Sequence, residues 1–272
     1  SNMVSCLNLD AMIACYTIVW CVLNVTLNVY NKWLFEVGWL DSPIILIAIQ
    51  QACTLLVLQS IHVVRQRTWR WRVDAAILRR VSLLGIIFGV QVFTNMQSLM
   101  LLSLTVNQSI RAFLPVATMV GAFVIEGKRY SPKLVANAIL LSIGVILCVW
   151  NNPSATLAGV LLCGMSVFAS AAHVSLSGWL LAGSNVPTAF ELTLYQSFPL
   201  IFVFGALAFT YDAQGLLDIP LNAVHIAILF GCSALLVIMY NLIRFLVIQK
   251  TSSVFLVVLG NLKIVLVIVI DK

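Results

Sequence analysis

Nine long stretches of the sequence are almost uninterruptedly apolar, and this feature constrains the fold more than any other. They lie at about residues 11–31, 43–64, 80–102, 105–125, 133–150, 157–181, 188–210, 222–248 and 252–270. A helix of roughly 20 apolar residues crosses the hydrocarbon core of a bilayer. Because the stretches are continuous and do not alternate, they predict helices and not the strands of a barrel. The sequence therefore predicts an all-α polytopic membrane protein with nine spans.

The composition agrees with this class and excludes others. Of the 272 residues, 62% are hydrophobic and 9% are charged, whereas a soluble domain has about 25% charged residues. The formal net charge of +6 is spread over several loops, which does not suggest nucleic-acid binding. The seven cysteines show no C-x-x-C pattern and lie mostly inside apolar stretches, so we expect packing and not a metal site. No cofactor is expected, and neither H-E-x-x-H nor G-x-S-x-G is present, so an enzyme is not expected.

The charges of the loops predict an orientation. Basic residues follow the second, fourth and eighth stretches, and acids occupy alternate loops. The basic residues are Arg65, Arg67, Arg70, Arg72, Arg79, Arg80, Lys128, Arg129, Lys133 and Lys250, and the acids are Glu36, Asp41, Asp212 and Asp218. The positive-inside rule places the basic loops in the cytosol, so we expect a cytosolic N-terminus.

Lys263 lies near the middle of the ninth stretch, within GNLKIV. At about 1.5 Å of rise per residue it is roughly 16 Å from the near end of that helix, and snorkelling covers only part of this distance. A structural alternative is a lysine paired with a carboxylate. No Asp falls inside any predicted span, and Glu191 is near the end of the seventh. The position therefore favours a functional cation.

Arg111 lies inside the fourth stretch, four residues before Pro115. Proline has no N–H, so the carbonyl of Arg111 loses its helical partner and a kink is expected there. A cation beside a freed backbone is typical of a ligand site. The alternative is an arginine that snorkels to the membrane surface, roughly 10 Å away.

Several other polar residues lie inside the predicted spans. Tyr240 and Arg244 share a helix face, Tyr240 could offer its hydroxyl to a ligand, and Arg244 is close enough to the cytosolic end to be an orientation-setting residue. Asn24, Asn28 and Lys32 follow at intervals of four; the asparagines could join neighbouring helices instead, and Lys32 is expected to snorkel. His173 favours a hydrogen-bonded histidine over a proton relay. Further candidates for packing or for ligand contact are Gln50, Gln51, Gln91, Gln108, Tyr195 and Gln196.

The deep charges are all cationic, which indicates an anionic ligand. Proton- and sodium-coupled carriers usually display intramembrane Asp or Glu. Arginine and lysine instead suit phosphate. An empty cationic site is costly to move across a membrane, and this favours exchange of one anion for another.

Three segments resemble the triose-phosphate translocator and nucleotide-sugar transporter families of the drug/metabolite transporter superfamily. They are NVYNKWLFEVGWLDSPIILIAIQQ, SLMLLSLTVNQSIRAFLPVATMVGAFVIEGKRYS and VIMYNLIRFLVIQKTSSVFLVVLGNLKIVLVIVI. In the sugar-phosphate branch, residues at the positions of Arg111, Tyr240 and Lys263 contact the substrate. That branch normally follows the lysine with an arginine, whereas this chain has Ile264. The departure makes the chain look more like nucleotide-sugar carriers.

The resemblance implies a ten-helix fold of two inverted five-helix repeats, with both ends cytosolic. Residues 1–150 would form the first repeat, and residues 151–272 the second repeat without its last helix. It implies an antiporter of the Golgi or endoplasmic reticulum membrane that exchanges a nucleotide sugar for a nucleoside monophosphate. Alternatives are a sugar-phosphate/phosphate exchanger, which could lie in the plastid inner envelope, and a membrane receptor or scaffold. A homodimer is left open. The candidate substrate-binding residues are Lys263, Arg111, Tyr240, Asn241, Asn28, Gln108 and Asn261.

Overall fold

A computed structural model describes residues 2–36, 42–66, 75–127, 129–150, 156–182, 188–211 and 223–260. These residues are all-helical and form ten α-helices, numbered here in chain order. They are α1 (Asn2–Glu36), α2 (Pro43–Gln66), α3 (Ala75–Leu101), α4 (Leu104–Arg111), α5 (Leu114–Glu126), α6 (Pro132–Trp150), α7 (Leu157–Leu181), α8 (Ala189–Tyr211), α9 (Ala223–Lys250) and α10 (Ser253–Gly260).

Seven segments of the described residues are long and apolar enough to cross a membrane. They are Met12–Glu36, Pro43–Val64, Leu78–Leu101, Leu104–Ile125, Leu157–Leu181, Ala189–Thr210 and Ala227–Lys250. Each corresponds to one of the predicted apolar stretches, so the prediction of a polytopic helical membrane protein is supported. Helix α6 and the short helix α10 occupy the other two stretches without meeting the same criteria in the described residues. The predicted counts of nine spans and ten helices stay predictions.

Helices α2 and α7 begin where a capping side chain accepts a hydrogen bond from one of their first N–H groups. The hydroxyl of Ser42 accepts a bond from the N–H of Ile45 at 3.4 Å, and Pro43 follows at the first helical position, where a missing N–H costs nothing. Thr156 caps α7 by accepting from Gly159 N at 3.3 Å. With these caps, α2 and α7 begin at the predicted starts of their stretches, residues 43 and 157.

The fourth stretch is broken at the predicted place. Helix α4 ends at Arg111, a turn of Ala112 and Phe113 follows, and α5 begins at Leu114 with Pro115 in its first turn. The missing N–H of Pro115 explains why α4 cannot continue through Arg111. The predicted kink is therefore confirmed as a short break between two helices.

Helices of the first part of the chain pack against helices of the second part. Helix α1 lies along α9, α2 along α8, and α3 along α7 and α8. Glycine permits one of these close approaches, because a Cβ on Gly85 of α3 would lie 2.9 Å from the carbonyl oxygen of Gln196 in α8. The polar residues that α1, α2, α3 and α9 direct inward consequently meet in the interior.

Two charged residues at helix ends have structural roles. Lys32 donates from Nζ to the carbonyl oxygen of Leu99 at 2.9 Å and lies 3.5 Å from Glu36. It therefore ties α1 to the C-terminal end of α3, whose last carbonyls lack helical partners. Glu191 forms a capping box with Thr188, with Oε2 accepting from Thr188 N at 2.8 Å and Thr188 Oγ1 accepting from Glu191 N at 3.2 Å. Neither carboxylate reaches the interior site described below.

Candidate substrate-binding site

Two adjoining chambers lie between the helices. The cationic chamber is lined by Trp20, Asn24, Arg111, Leu114, Ser170, Val174, Tyr240, Arg244, Leu256 and Val257. The carboxamide chamber is lined by Asn24, Leu27, Asn28, Asn31, Gln50, Gln51, Phe88, Gln91, Val92, Asn95, Met96, Arg111, Val237, Tyr240 and Asn241. Asn24, Arg111 and Tyr240 line both, so the two spaces form one site with a shared boundary.

Arg111 is the last residue of α4, and it lies at the boundary between the two chambers. Its Nη1 donates to Asn95 Oδ1 at 2.8 Å and to Ser166 Oγ at 3.2 Å. These bonds fix the guanidinium between α3 and α7 while using one of its nitrogen atoms. Since a guanidinium has five N–H donors, Arg111 retains the capacity to bind an anion in either chamber.

Arg244 is the second cation of the cationic chamber and is only 1% exposed. Its guanidinium lies 5.5 to 5.9 Å from the ring centres of Phe88, Tyr240 and Phe245, where cation–π attraction offsets part of the burial cost. Within the described part of the chain no carboxylate pairs with it, and its Nε has no hydrogen-bond partner there. The interpretation of Arg244 as an orientation-setting surface residue does not hold, because the side chain is buried at the site.

His173 positions Arg244. The Nη2 of Arg244 donates to His173 Nδ1, and His173 Nε2 lies 3.3 Å from Gln196 Oε1. An imidazole that accepts at Nδ1 is neutral and carries its proton on Nε2, where it donates to the carboxamide oxygen. His173 thus has a partner at each ring nitrogen, as the sequence interpretation favoured.

Tyr240 lines both chambers, and the guanidinium of Arg244 lies 5.9 Å from the centre of its ring. Its ring stacks on Trp20 of α1, with centroids 6.4 Å apart and an interplanar angle of 22°. The stack joins α1 to α9 and holds the tyrosine at the boundary. The next residue, Asn241, is 1% exposed and turns into the carboxamide chamber.

Eight carboxamide side chains line the second chamber, together with Arg111 and Tyr240. They are Asn24, Asn28, Asn31, Gln50, Gln51, Gln91, Asn95 and Asn241. Some hold each other in place: Asn28 Nδ2 donates to Asn24 Oδ1 at 3.1 Å, and Gln50 Nε2 donates to Asn31 Oδ1 at 3.4 Å. No carboxylate occurs among the residues that line either chamber. The chemistry of the site is therefore a cationic centre beside a neutral polar pocket.

Four of the predicted site residues meet in these chambers: Asn28, Arg111, Tyr240 and Asn241. Gln108 is fully buried in α4, where its Nε2 donates to Asn107 Oδ1 at 3.4 Å, and it does not line either chamber. Lys263 and Asn261 lie outside the described residues, which end at residue 260.

The predicted set left out Arg244 and all the carboxamides of the chamber except Asn28 and Asn241. Asn24, Gln50, Gln51 and Gln91 are among the wider candidates for packing or ligand contact, whereas Asn31 and Asn95 are not. Two spacing signals point to most of these carboxamides. Asn24, Asn28 and Asn31 recur at intervals of four and three, which places them on one helix face, and Gln91 and Asn95 are four apart in α3. A polar stripe on a membrane helix must face a protein interior or a cavity.

The comparison with known proteins identifies the class of protein. No protein-family model matches the chain. It is 27% identical over 267 residues to a probable sugar phosphate/phosphate translocator of Arabidopsis thaliana, covering 93% of this chain and 83% of that protein. It is 24% identical over 257 residues to solute carrier family 35 member E4 of Rattus norvegicus, covering 94% and 71%. It is 24% identical over 266 residues to the GDP-mannose transporter GONST5 of Arabidopsis thaliana, covering 93% and 75%.

These relatives are membrane transporters, and the similarity extends over most of the chain. A transport function is therefore supported, and the relatives do not point to an enzyme. The resemblance to the sugar-phosphate and nucleotide-sugar transporters of the drug/metabolite transporter superfamily is confirmed, at low identity.

Proposed function

We propose that the protein is an antiporter that exchanges a nucleotide sugar for a nucleoside monophosphate across an organelle membrane. The observation that carries this proposal is the pair of arginines, Arg111 and Arg244, which line one chamber that no carboxylate lines. Among the described residues neither guanidinium pairs with a carboxylate, so the two groups attract an anion, and the planar N–H fork of arginine suits phosphate oxygens. Lys263, which lies outside the described residues, is proposed as a third cation, with Asn261 beside it.

Exchange follows from the cost of the empty site. A buried cation without a counter-ion is unfavourable in the membrane interior. A bound phosphate lowers this cost, so a carrier that returns empty would face a higher barrier than one that returns loaded. Arg244, which is buried, and Arg111, which is half-buried, therefore support obligatory exchange of anions.

Alternating access is proposed to move the site between the two sides. Residues of α1, α2, α3, α4 and α5 and residues of α7, α9 and α10 line the chambers. Because both groups contribute, the lining supports a site between the proposed halves, residues 1–150 and 151–272. A rocking motion of one half against the other, as in carriers built from inverted repeats, would open it to each side in turn.

A sugar-phosphate/phosphate exchanger is the second candidate. The names of several relatives, the probable sugar phosphate/phosphate translocators, favour it, while the relative named as a GDP-mannose transporter favours the first. We place the protein in the Golgi or endoplasmic reticulum membrane on the first proposal.

A thermal-shift screen of the purified full chain tests the proposal. Nucleoside monophosphates, nucleotide sugars, sugar phosphates and inorganic phosphate would each be added in turn, because a ligand of the folded state raises its stability. Stabilisation by one nucleoside monophosphate and its nucleotide sugar is the expected result. Stabilisation by sugar phosphates and inorganic phosphate alone favours the second candidate, and no stabilisation by any phosphorylated compound rejects both.

A further inference from the structure

Eight of the residues that line the carboxamide chamber carry a neutral carboxamide group. We infer that this chamber binds an uncharged, hydroxyl-rich sugar moiety and discriminates against sugars that carry a carboxylate. The inference rests on the proposed function, because it takes the phosphate of the same solute to be held at Arg111. It adds the chemical class of the moiety that the transporter selects.

Three buried carboxamide oxygens in the chamber have no hydrogen-bond partner among the described residues. They are Gln51 Oε1, Gln91 Oε1 and Asn241 Oδ1, on side chains that are 2%, 6% and 1% exposed. Buried polar atoms are almost always satisfied in a functioning protein. A ligand that satisfies acceptors must bring donors, and sugar hydroxyl groups are donors. An ionised carboxylate can only accept.

Neighbouring groups hold the other carboxamides of the chamber. Asn28 is bonded to Asn24, Gln50 to Ser233, and Asn95 accepts from the guanidinium of Arg111. These bonds lock side chains on α1, α2 and α3 before any ligand arrives, so the chamber is preorganised. A carboxamide has both a donor and an acceptor end, which matches the dual character of neighbouring hydroxyl groups.

The charge of the chamber opposes a second anionic group. Among the residues that line it, Arg111 is the one charged side chain, and it stands at the boundary with the cationic chamber. A carboxylate placed deeper would give up its hydration without gaining a cation. Hydroxyl groups need no cation, because hydrogen bonds to the carboxamides can replace their hydrogen bonds to water. The phosphate end of the substrate therefore lies toward Arg111 and Arg244, and the neutral sugar lies among the carboxamides.

Matched ligand pairs test the inference on the unaltered protein. The pairs are UDP-glucose with UDP-glucuronate, GDP-mannose with GDP-mannuronate, and glucose 1-phosphate with glucuronate 1-phosphate, each measured by calorimetry on the purified full chain. Within the pair that binds, the uronate should bind at least tenfold more weakly. Equal affinities within that pair overturn the inference, as does binding of inorganic phosphate without binding of any hexose compound.

Two variants locate the discrimination in the chamber. Gln91→Leu should weaken the hexose compound about tenfold, as expected for one lost hydrogen bond in a buried site, and should leave inorganic phosphate unaffected. Gln59→Leu is the matched control, because Gln59 also has an unpartnered carboxamide in the described structure but does not line either chamber. Gln91→Lys supplies the missing cation and should reduce the discrimination against the uronate at least tenfold.

The possible failures are distinguishable. Equal loss of hexose compound and inorganic phosphate in Gln91→Leu, or unchanged discrimination in Gln91→Lys, overturns the sugar assignment while leaving anion transport intact. If no phosphorylated compound binds the unaltered protein, the proposed function fails and the inference fails with it. If a variant does not fold, the comparison of ligand pairs on the unaltered protein still tests the sugar assignment.

Discussion

The cationic chamber and the carboxamide chamber meet at Asn24, Arg111 and Tyr240, but beyond that boundary their residues differ in kind. On one side, Arg244 is surrounded by aromatic rings and apolar side chains. On the other side, seven neutral amide side chains lie among apolar ones, and no further charged side chain lines the chamber. In a low-dielectric interior a cation interacts strongly with any anion, whereas an amide pocket responds to the number and position of donors and acceptors. The contrast suggests that one chamber provides affinity and the other selectivity.

Arg111→Ala should have the largest effect, because this residue serves both chambers. Loss of the guanidinium removes the anion contact and leaves Asn95 Oδ1 and Ser166 Oγ without their donor. We expect a loss of about 3 kcal/mol, or roughly 150-fold in substrate affinity, measured by calorimetry. Arg80→Ala is the control, because Arg80 is exposed on α3 and lies over Trp179. Comparable losses in the two variants would contradict the assignment.

Arg244→Met separates binding from stability. It removes a buried cation that pairs with no carboxylate among the described residues. The cost of burying the charge then disappears together with the bond to His173 Nδ1, so the two effects on stability oppose each other. We expect the melting temperature without ligand to stay within a few degrees, while the affinity for the phosphorylated substrate falls by at least tenfold. Both come from one thermal-shift titration. An unfolded variant, or one that binds normally, would show that Arg244 serves the fold instead of the ligand.

Tyr240→Phe tests the boundary between the chambers. The phenyl ring can keep the stack on Trp20, so only the hydroxyl group is lost. Removal of one hydrogen bond is worth about 1 kcal/mol, so we expect substrate affinity to fall roughly fivefold. The same substitution at Tyr195, which is buried but does not line either chamber, should leave affinity unchanged. Equal effects at the two positions would remove Tyr240 from the site.

Thr188→Ala should have the smallest effect on substrate binding. It removes the hydroxyl that accepts from Glu191 N in the capping box of α8, outside both chambers, and such caps contribute about 1 kcal/mol to stability. The melting temperature should fall by a few degrees, with affinity unchanged. A large loss of affinity in this variant would mean that affinity reports general stability, and the comparison of the two chambers would lose its basis.

Much of the fold could be predicted from hydropathy, since continuous apolar stretches have few alternatives to membrane helices. The ends of the helices were harder. Helix α1 runs to Glu36, beyond the predicted limit at 31, because Lys32 binds the end of α3 and pairs with Glu36. A hydropathy profile contains no information on such contacts. The break after Arg111 was predictable because proline acts locally.

A site residue could be predicted when its position along a helix was enough to identify it. Arg111 is recognisable from its depth and from Pro115. Arg244 was not, because distance from a helix end says how far a side chain could reach toward water but not what packs around it. The rings of Phe88 and Phe245 and the imidazole of His173 come from three helices, and only tertiary structure brings them together.

An exchange measurement in proteoliposomes tests the central claim most directly. Vesicles containing the purified full chain would be loaded with one nucleoside monophosphate, and uptake of the labelled nucleotide sugar of the same base would be followed. The account predicts uptake that depends on the internal nucleotide and is lost in Arg111→Ala. Equal uptake into empty vesicles, or uptake unaffected by Arg111→Ala, would contradict it.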